Sequence, residues 1–463
     1  MTRQNAIAKA TDYFETGQFQ SDLATLVTFR SESQNPAPEA RAESLRYLTE
    51  AMLPRLQGMG FECEIIDNPV AKGGPLLLGE RIEGADLLTV LTYGHGDTVL
   101  GQEGMWRDGL DPWEITEEGD RLYGRGAADN KCQHLINIAA LEAVLATRGS
   151  LGFNVKIVLE MSEEVGSVGL PEVFRAHKER LKADVLIASD GPRLQPKVPT
   201  MFMGSRGGTT FDLLVETHEG AHHSGNWGGL LADPAIILAH ALACITDARG
   251  QIKIAEWRPD SLTDTVRDVL RDLPVEGGEG PSVQPDWGEE SLSPAERVFG
   301  WNSFAVLAMV SGVPEAPVNA ISGWARATCQ LRFVVGTDPD DVVPALRGHL
   351  DAHHFENVQI VPHDRGFFSA TRLDPTHPWA EFVAASIRKT SGDLHILPNL
   401  AGSLPNDSFT DILELPTIWV PHSYRGCSQH APNEHVLKPV CADALRVMAG
   451  VFWDVAEGPA GTS

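Results

Sequence analysis

The sequence predicts an α/β fold, in which a larger domain with a central mixed, mostly parallel sheet (residues 1–200 and 364–463) is interrupted by a smaller α+β domain. Three observations lead to this prediction. Short apolar, β-branched runs alternate with helical patterns, which is typical of a parallel sheet covered by helices. Acidic residues or histidines follow these runs. A second series of strand and helix patterns lies between residues 201 and 363.

Four apolar runs predict strands of the larger domain, and one helical pattern lies between them. The runs span residues 87–93, 155–161, 183–189 and 416–421. Apolar residues recur at helical spacing from Lys131 to about Arg148, and Gly149 follows as a stop signal. In open α/β sheets, ligands bind beyond the carboxyl ends of the strands. We therefore expect the polar residues that follow these runs to meet in one cleft.

Five groups of acid and histidine residues occupy such positions. They are His95 and Asp97 in Gly94-His95-Gly96-Asp97, Asp129 ahead of the predicted helix, the pair Glu163-Glu164, Asp190, and His430 in Gln429-His430-Ala431-Pro432-Asn433-Glu434. Imidazole and carboxylate groups bind zinc, and carboxylate-rich sites also accept manganese. Each group alone is more often a turn, a helix cap or solvated surface, but five in this order favour a composite site. One of two adjacent glutamates can bind metal while the other acts as a base, so the pattern indicates a two-metal hydrolase.

Over nearly the whole chain, from about Phe14 to His435 and into the final helix, these motifs resemble the M20 family of metallopeptidases. The resemblance is to its carnosinase and cytosolic non-specific dipeptidase branch, which is related to aminoacylases and succinyl-diaminopimelate desuccinylase. It implies two divalent metal ions per chain, with Zn²⁺ as the first choice and Mn²⁺ or Co²⁺ as alternatives. The implied ligands are, for one ion, His95, Asp129 and Asp190, and for the other, Asp129, Glu164 and His430.

The resemblance also implies catalytic roles. Glu163 would be the general base, Asp97 would orient His95, and the peptide bond after the bridging aspartate would be cis. The chain departs from the family pattern at Asn130, where an aspartate or another small residue is usual, and at Cys132, where glycine is usual. Neither departure changes an implied metal ligand.

The predicted lid contains strands and helices in the order β-α-β-β-α-β, which matches the lid and dimerisation domain of the family. These elements are predicted at 206–217, 234–245, 304–310, 324–335, 339–353 and 358–361. An acidic stretch at about 249–302 interrupts them and resembles the longer lid of the dipeptidase branch. Within it, the sequence predicts one helix at 262–273 and a glycine-rich loop at 276–281.

The resemblance assigns further residues to the substrate. His223, in His222-His223-Ser224-Gly225, would reach the active site of a neighbouring subunit and stabilise the oxyanion of the tetrahedral intermediate. Asn319 and Arg332 on the lid strands would contact the substrate, and the arginine suits a carboxylate. Gly402 and Ser403 belong to a small-residue loop that would line the substrate cleft.

The composition limits the kinds of binding partner and the cellular compartment that we expect for this protein. The net charge of −26 opposes binding to nucleic acid or to an anionic membrane, and no apolar stretch approaches the length of a membrane span. Six cysteines without paired spacing and an N-terminus without a signal-peptide core favour reduced thiols in a cytoplasmic protein. The expected partners are a small peptide or N-acyl amino acid substrate and a second copy of the chain. The strand at 206–217 is the expected edge that pairs in this homodimer.

The function predicted from the sequence is hydrolysis of a peptide or amide bond, with a dipeptidase or aminoacyl-amide hydrolase as the first choice. Aspartate at the position of Asp190 is usual among dipeptidases of the family, whereas glutamate is usual among its deacylases. An N-acyl-amino-acid deacylase of the acetylornithine deacetylase or desuccinylase type is an alternative, because no residue can be assigned to a substrate's free amine. A non-catalytic binding relative is a remote alternative, since such relatives usually lose ligands or the base.

Overall fold

The computed structural model describes residues 1–35, 37–275, 281–363 and 368–458. The α-helices of these residues are α1 Arg3–Glu15, α2 Gln18–Val27, α3 Pro38–Arg46, α4 Leu53–Gly58, α5 Lys131–Arg148, α6 Leu170–Ala176, α7 Lys178–Leu181, α8 Ser224–Trp227, α9 Pro234–Ile245, α10 Asp264–Leu270, α11 Pro294–Phe299, α12 Val342–Ala352, α13 Pro378–Ser391 and α14 Lys438–Val455. The strands are β1 Glu62–Ile66, β2 Leu76–Arg81, β3 Thr89–His95, β4 Thr116–Glu118, β5 Arg121–Tyr123, β6 Asn154–Glu160, β7 Val185–Ala188, β8 Pro192–Arg193, β9 Thr200–Phe202, β10 Gly207–His223, β11 Ser303–Ser311, β12 Ala320–Phe333, β13 Val358–Pro362, β14 His395–Leu397, β15 Thr417–Trp419, β16 Ser423–Tyr424 and β17 His435–Leu437.

The larger sheet has eight strands in the order β1-β2-β6-β3-β7-β15-β9-β14. At its centre β6, β3, β7 and β15 are parallel neighbours, whereas β1 and β2 run antiparallel at one edge and β9 runs antiparallel to β15. The mixed, mostly parallel sheet predicted from the sequence is thus confirmed. The four strands predicted for the larger domain are these four central strands, so their carboxyl ends lie side by side.

Helices cover both faces of this sheet. Successive residues of β6, Ile157 and Val158, belong to two different apolar cores, as expected for a strand buried on both faces. On one face α5 has the bounds that its periodicity predicted, and α1, α2 and α14 pack around it. Gly149 ends α5 in the left-handed conformation, with φ of 85°. The chain after Asn130 is therefore fixed by a deeply buried helix.

The structure bears on the predicted state of the cysteines and on the departure from the family pattern at Cys132. All six are free, as the absence of paired spacing predicted. Cys132 is fully buried in α5, and its Sγ atom lies 3.6 Å from that of Cys441 in α14. Cys132 therefore packs as a small apolar side chain between two helices.

Among the described residues, no helix has both the length and the apolar character needed to cross a membrane.

The second sheet has four antiparallel strands in the order β11-β12-β10-β13. Alternate residues of β10, Phe211, Leu213 and Val215, are buried beneath α9 and α12. Apart from the short α8 and from α10 and α11 in the acidic stretch, the strands and α-helices follow the order β10-α9-β11-β12-α12-β13, the order that the sequence predicts for the lid. We refer to this sheet and its helices as the lid.

The expectation that the strand at 206–217 forms an exposed edge is wrong. β10 lies inside the sheet, with β12 along one side and β13 along the other at residues 211–215. The chain returns after α12 and adds β13 beside β10, so the backbone groups on both sides of that stretch are hydrogen-bonded. In the described part of the lid, the outer strands are β11 and β13.

The acidic stretch at 249–302 contributes to two apolar cores. Its first part places Ile252, Ile254 and Trp257 in the core of the lid. Its helices α10 and α11 pack instead against the larger sheet, through Leu270 and Phe299 among others. The predicted helix at 262–273 is found as α10, whereas α11 was not predicted, and residues 276–280 of the predicted glycine-rich loop lie outside the described residues. The stretch therefore connects the lid to the larger sheet.

We expect Trp257→Ala to lower the free energy of unfolding by about 3–5 kcal/mol, because it would leave a cavity in the lid core. The side chain is fully buried, and its indole N–H donates to the Val342 carbonyl at 3.1 Å. Trp287→Ala is the matched control, since Trp287 belongs to the same stretch but is 59% exposed; it should cost less than about 0.5 kcal/mol. Urea denaturation of both variants measures the difference, and equal small losses would contradict the placement of Trp257.

Candidate metal centre

The predicted acid and histidine residues converge where the central strands end. β3 ends at His95, and β6 is followed by a 3₁₀ turn that carries the glutamate pair. Asp190 follows β7, and Asp129 directly precedes the N-cap of α5. His430 lies in the loop between β16 and β17 and has a φ of 60°. Parallel strand direction thus brings residues from distant parts of the chain to one place.

Asp129 lies at the centre of this cluster. Its Oδ1 atom is 3.0 Å from His95 Nε2, and its Oδ2 atom is 3.0 Å from His430 Nε2. Glu164 Oε2 is 2.9 Å from His430 Nε2, and Asp190 Oδ2 is 3.8 Å from His95 Nε2. Two donor sets result, each with ligand atoms within 4.8 Å of one another: His95, Asp129 and Asp190, and Asp129, Glu164 and His430. The structure groups these residues in the same two sets that the resemblance implied.

The peptide bond between Asp129 and Asn130 is cis, as the resemblance implied. The Asn130 side chain donates to the Ser189 carbonyl at 2.9 Å, and its Oδ1 atom is 3.0 Å from His134 Nδ1. Ser189 is the residue before Asp190. Asn130 therefore ties the Asp129 loop to the end of β7. Although this residue departs from the family pattern, its side chain is hydrogen-bonded and lies between two predicted ligands, Asp129 and Asp190.

Asp97 links two of the strand ends. Its Oδ1 and Oδ2 atoms accept hydrogen bonds from the backbone N–H groups of Glu163 and Glu164, each at 3.1 Å. Its Oδ1 atom also lies 3.4 Å from His95 Nδ1, and its carbonyl oxygen lies 3.2 Å from the same nitrogen. Asp97 is fully buried. One carboxylate thus positions the glutamate turn and lies against the ring of a predicted ligand.

Glu434 is a functional candidate that the sequence motif contained without assigning it a role. Its Oε1 atom accepts from the backbone N–H groups of Ala128 and Asp129, at 2.8 and 3.1 Å. Its Oε2 atom accepts from Arg125 Nη1 at 2.8 Å, and both side chains of this ion pair are 1% exposed. Because Glu434 belongs to the His430 loop, it fixes that loop to the Asp129 loop. Only its closeness to His430 in the sequence hinted at such a role.

The cluster concentrates negative charge in a buried place. Burial, together with the Asp129 carboxylate, raises the pKa of Glu164 to about 7 and that of Asp190 to about 6. Burial also raises the pKa of Glu163 well above its ordinary value. Against the lowering effect of burial, hydrogen bonds to Asp129 and Glu164 raise the pKa of His430 to about 11. Four carboxylates and two imidazoles in this arrangement fit divalent cations, whose charge would offset the repulsion and whose preferred ligands are oxygen and nitrogen donors.

The cluster opens into a cavity of about 360 Å³. Three of the predicted substrate residues, Arg332, Gly402 and Ser403, line it, and Arg332 Nη1 is 3.1 Å from Ser403 Oγ. Arg425 and Gln429 line it as well, although no pattern in the sequence distinguished them from surface residues. The apolar part of the wall includes Leu194, Phe299, Leu397, Leu400 and Leu404.

Two predicted substrate residues, His223 and Asn319, lie elsewhere. Both are exposed at the far end of the β10–β12 pair, where the Ser224 N–H donates to the Asn319 carbonyl at 2.9 Å. Arg332 lies at the other end of β12, beside the cavity. Because a strand rises about 3.3 Å per residue, the two ends of β12 are separated by roughly 40 Å. One small molecule therefore cannot contact Asn319 and Arg332 of the same chain.

Carboxylate and imidazole groups that converge at the ends of parallel strands are typical of metallohydrolases, and the molecule belongs to this class. The chain belongs to the peptidase family M20/M25/M40, whose family model matches residues 91–454. The protein is therefore a peptidase, and membership of this family implies that it binds divalent metal.

Similar proteins are found among dipeptidases. The chain is 32% identical to human beta-Ala-His dipeptidase, over 95% of this chain and 90% of that protein. It is 26% identical to the cysteinylglycine-S-conjugate dipeptidase of Corynebacterium striatum, over 83% of each. Human carnosine dipeptidase 1 has a similar solved structure, with a TM-score of 0.78, 23% identity and coverage of 97% of this chain and 99% of that chain. Dug1p of Saccharomyces cerevisiae also has a TM-score of 0.78, with 19% identity and coverage of 99% of each chain. The two structural comparisons show a shared fold.

We expect Glu434→Gln to lower the free energy of unfolding by about 3–5 kcal/mol, because it leaves the Arg125 guanidinium buried without its carboxylate. The amide oxygen of the new side chain could still accept hydrogen bonds from the two backbone N–H groups, so the loss of stability measures the contribution of the Arg125–Glu434 ion pair. Removing both charges in Arg125→Met/Glu434→Gln should recover part of it. Urea denaturation measures both variants. A single variant as stable as the parent would show that the pair has no structural role.

Proposed function

We propose that this peptidase is a dipeptidase that uses two divalent cations, with Zn²⁺ as the favoured metal and Mn²⁺ or Co²⁺ as alternatives. The observation that carries the proposal is that the two oxygens of Asp129 face two different donor sets. The beta-Ala-His and cysteinylglycine-conjugate dipeptidases similar to the chain support a substrate of two residues. We assign one cation to His95, Asp129 and Asp190, and the other to Asp129, Glu164 and His430.

In the proposed reaction, Glu163 is the general base. Bound cations would lower the pKa of a water molecule and polarise the scissile carbonyl. Glu163 would take a proton from that water and deliver it to the leaving amine. Among the described residues, its carboxylate has no hydrogen-bond partner, its Oε2 atom is 4.0 Å from His95 Nε2, and it lines the cavity. Asp97, which holds the backbone of Glu163, would keep this carboxylate at the strand end.

The cavity wall suggests how a dipeptide would be oriented. Arg332 is held by Gln330 Oε1 at 3.1 Å and by Ser403 Oγ, so its guanidinium is fixed at the wall and can bind the carboxylate of a substrate. Gly402 adds no side chain to the wall beside Ser403. The apolar residues would accept a substrate side chain.

We further propose that the active form is a homodimer joined through the lids, in which each chain supplies His223 and Asn319 to its partner's cavity. The separation of roughly 40 Å along β12 supports this arrangement, since it removes both residues from their own cavity. The outer strand β11 replaces the strand expected from the sequence as the edge that pairs across a two-fold axis. It exposes Val306, Leu307 and Met309, at 45%, 56% and 48%. His223 would then stabilise the oxyanion in the partner's cavity.

One observation favours a second candidate, an N-acyl-amino-acid deacylase. The acidic residues at the cavity wall, Asp129, Glu163 and Asp190, all belong to the proposed centre, and no further carboxylate is among the wall residues that the structure describes. Arg332 and Arg425 are the basic ones besides His430. A free substrate amine thus has no separate carboxylate in this wall, whereas an acylated nitrogen needs none.

Rates with dipeptides, compared with N-acetyl and N-succinyl amino acids of the same side chain, test the proposed function. Chain that has been freed of metal and then reconstituted with Zn²⁺ or Mn²⁺ is used for both series. A dipeptidase predicts higher kcat/KM with the dipeptides. Faster hydrolysis of the acylated series would establish the second candidate instead.

We expect Glu163→Gln to lower kcat by about 10²–10⁴, because the amide keeps the shape of the side chain but cannot accept the proton. Metal content, measured by elemental analysis, should stay unchanged. Glu179→Gln is the matched control, since the Glu179 side chain is 87% exposed, and its kcat should equal that of the parent. Near-normal turnover in Glu163→Gln would place the base on another residue.

Mixing two inactive variants tests the action of His223 across the dimer. His223→Ala and Glu163→Gln should each be nearly inactive as homodimers. After subunit exchange, each mixed dimer would contain one complete site, so activity should rise well above that of either parent. The exchange itself is followed with differently labelled chains. Verified exchange without recovered activity would show that His223 does not act in the partner's site.

A further inference from the structure

A cluster of one cysteine and two histidines lies between two lid helices, and none of its members lines the catalytic cavity. Cys244 is near the end of α9, and His349 belongs to α12. His353 is the C-cap of α12, four residues after His349, so the two imidazoles share one side of the helix. The ligand atoms of the three residues lie within 4.8 Å of one another.

Hydrogen bonds to backbone carbonyls determine which imidazole nitrogens can bind a cation. His349 Nε2 is 2.8 Å from the Cys244 carbonyl oxygen, and His353 Nδ1 is 2.8 Å from the His349 carbonyl oxygen. A carbonyl oxygen only accepts, so each of these nitrogens carries the proton. In the neutral rings, His349 Nδ1 and His353 Nε2 therefore have the free lone pairs. Metal-binding histidines are usually oriented in this way, by donation from the second nitrogen to a carbonyl or carboxylate.

The spacing and exposure of the cluster also suit a cation. The two imidazole rings are in contact, with centroids 4.3 Å apart, and are tilted by 35° relative to each other. Nitrogen and sulfur ligands of a tetrahedral zinc ion lie roughly 3.3–3.6 Å apart, given bond lengths of about 2.0–2.3 Å. The ligand atoms of the cluster, which lie within 4.8 Å of one another, therefore need to approach by about 1.5 Å at most. Cys244 and His349 are half-buried and His353 is exposed, so a cation can enter from solvent.

The charges around the thiol are compatible with displacement of its proton. The Cys244 thiol donates to the Ala241 carbonyl at 3.0 Å. Burial raises the pKa of the Cys244 thiol above its ordinary value, and the ammonium of Lys253 acts against that rise. Lys253 Nζ is held at the Ala243 carbonyl, at 2.9 Å. It adds a positive charge near the cluster, but it also favours the thiolate that a cation requires.

We propose that Cys244, His349 and His353 form a metal site in the lid, separate from the catalytic centre, for a thiophilic divalent cation of the zinc type. The ligands are Cys244 Sγ, His349 Nδ1 and His353 Nε2, and water completes a tetrahedral shell. Binding releases one proton, from the thiol, to solvent. A sulfur and two imidazole nitrogens favour Zn²⁺ or Co²⁺ over Mg²⁺, Ca²⁺ or Mn²⁺. The site joins α9 to α12, so its occupation stabilises the helical layer of the lid.

Cobalt binding to the full-length chain tests the proposal, because only a cysteine ligand produces an intense thiolate-to-cobalt charge-transfer band in the near-ultraviolet. The catalytic centre has nitrogen and oxygen donors alone and does not contribute this band. Metal-free protein is titrated with Co²⁺, and the absorbance is compared for the parent, Cys244→Ser, His353→Gln and Asp129→Asn. Cys63→Ser is the matched control, since Cys63 is also half-buried but lies in β1.

The parent, Cys63→Ser and Asp129→Asn should all show the band, whereas Cys244→Ser should lose it and His353→Gln should need a higher cobalt concentration. Cys244→Ser should keep the parent's turnover and circular dichroism, which separates loss of the site from loss of the fold. Extra Zn²⁺ should raise the melting temperature of Asp129→Asn but not that of Asp129→Asn/Cys244→Ser. A parent without the band, or a band that survives Cys244→Ser, would overturn the proposal and leave the catalytic assignment untouched.

Discussion

The position of the Asp129 carboxylate is the constraint on which the rest of the centre depends. Its two oxygens face His95 and His430, which come from opposite ends of the chain. The backbone on its N-terminal side is held by Glu434, a member of the His430 loop. On its C-terminal side, Asn130 bonds to the residue that precedes Asp190. The two donor sets are therefore coupled, since a shift of the Asp129 loop would displace candidate ligands of both.

Such a cluster has an energetic cost that the fold must offset. Burial of the carboxylates, together with the repulsion between them, raises the pKa values of Glu163, Glu164 and Asp190. The parallel strands supply a rigid frame, and Asp97 fixes the glutamate turn through two backbone hydrogen bonds. The same repulsion that destabilises the metal-free cluster favours divalent cations. Stability and cation affinity are thus linked at this end of the sheet.

The fold class and the convergence of the candidate ligands on one cleft could be predicted because both follow from local patterns, whereas the division of these residues into two sets came from the family resemblance. Each apolar run identifies a strand, and parallel strands place the residues after them at one edge. The strand order of the lid could not be predicted in the same way, since it depends on β13 returning to pair with β10. The Glu434–Arg125 pair was equally hidden, because no local pattern relates two residues so far apart. Trp257 lies in the acidic stretch outside the predicted helix at 262–273, so no local pattern indicated that it is fully buried in the lid core.

The length of β12 has a further consequence in the proposed dimer. Each cavity would be completed by an arm of the partner, namely the far end of its β10–β12 pair with His223 and Asn319. A single chain in solution would therefore hold no complete site. Activity would then fall on dilution as the dimer dissociates, and specific activity would depend on protein concentration rather than being constant. In a population that mixes intact chains with chains damaged at the tip of the arm, the defect would appear in the cavity of the intact partner. Because a chain damaged there still offers its own cavity to an intact partner, total activity would fall in proportion to the fraction of damaged chains.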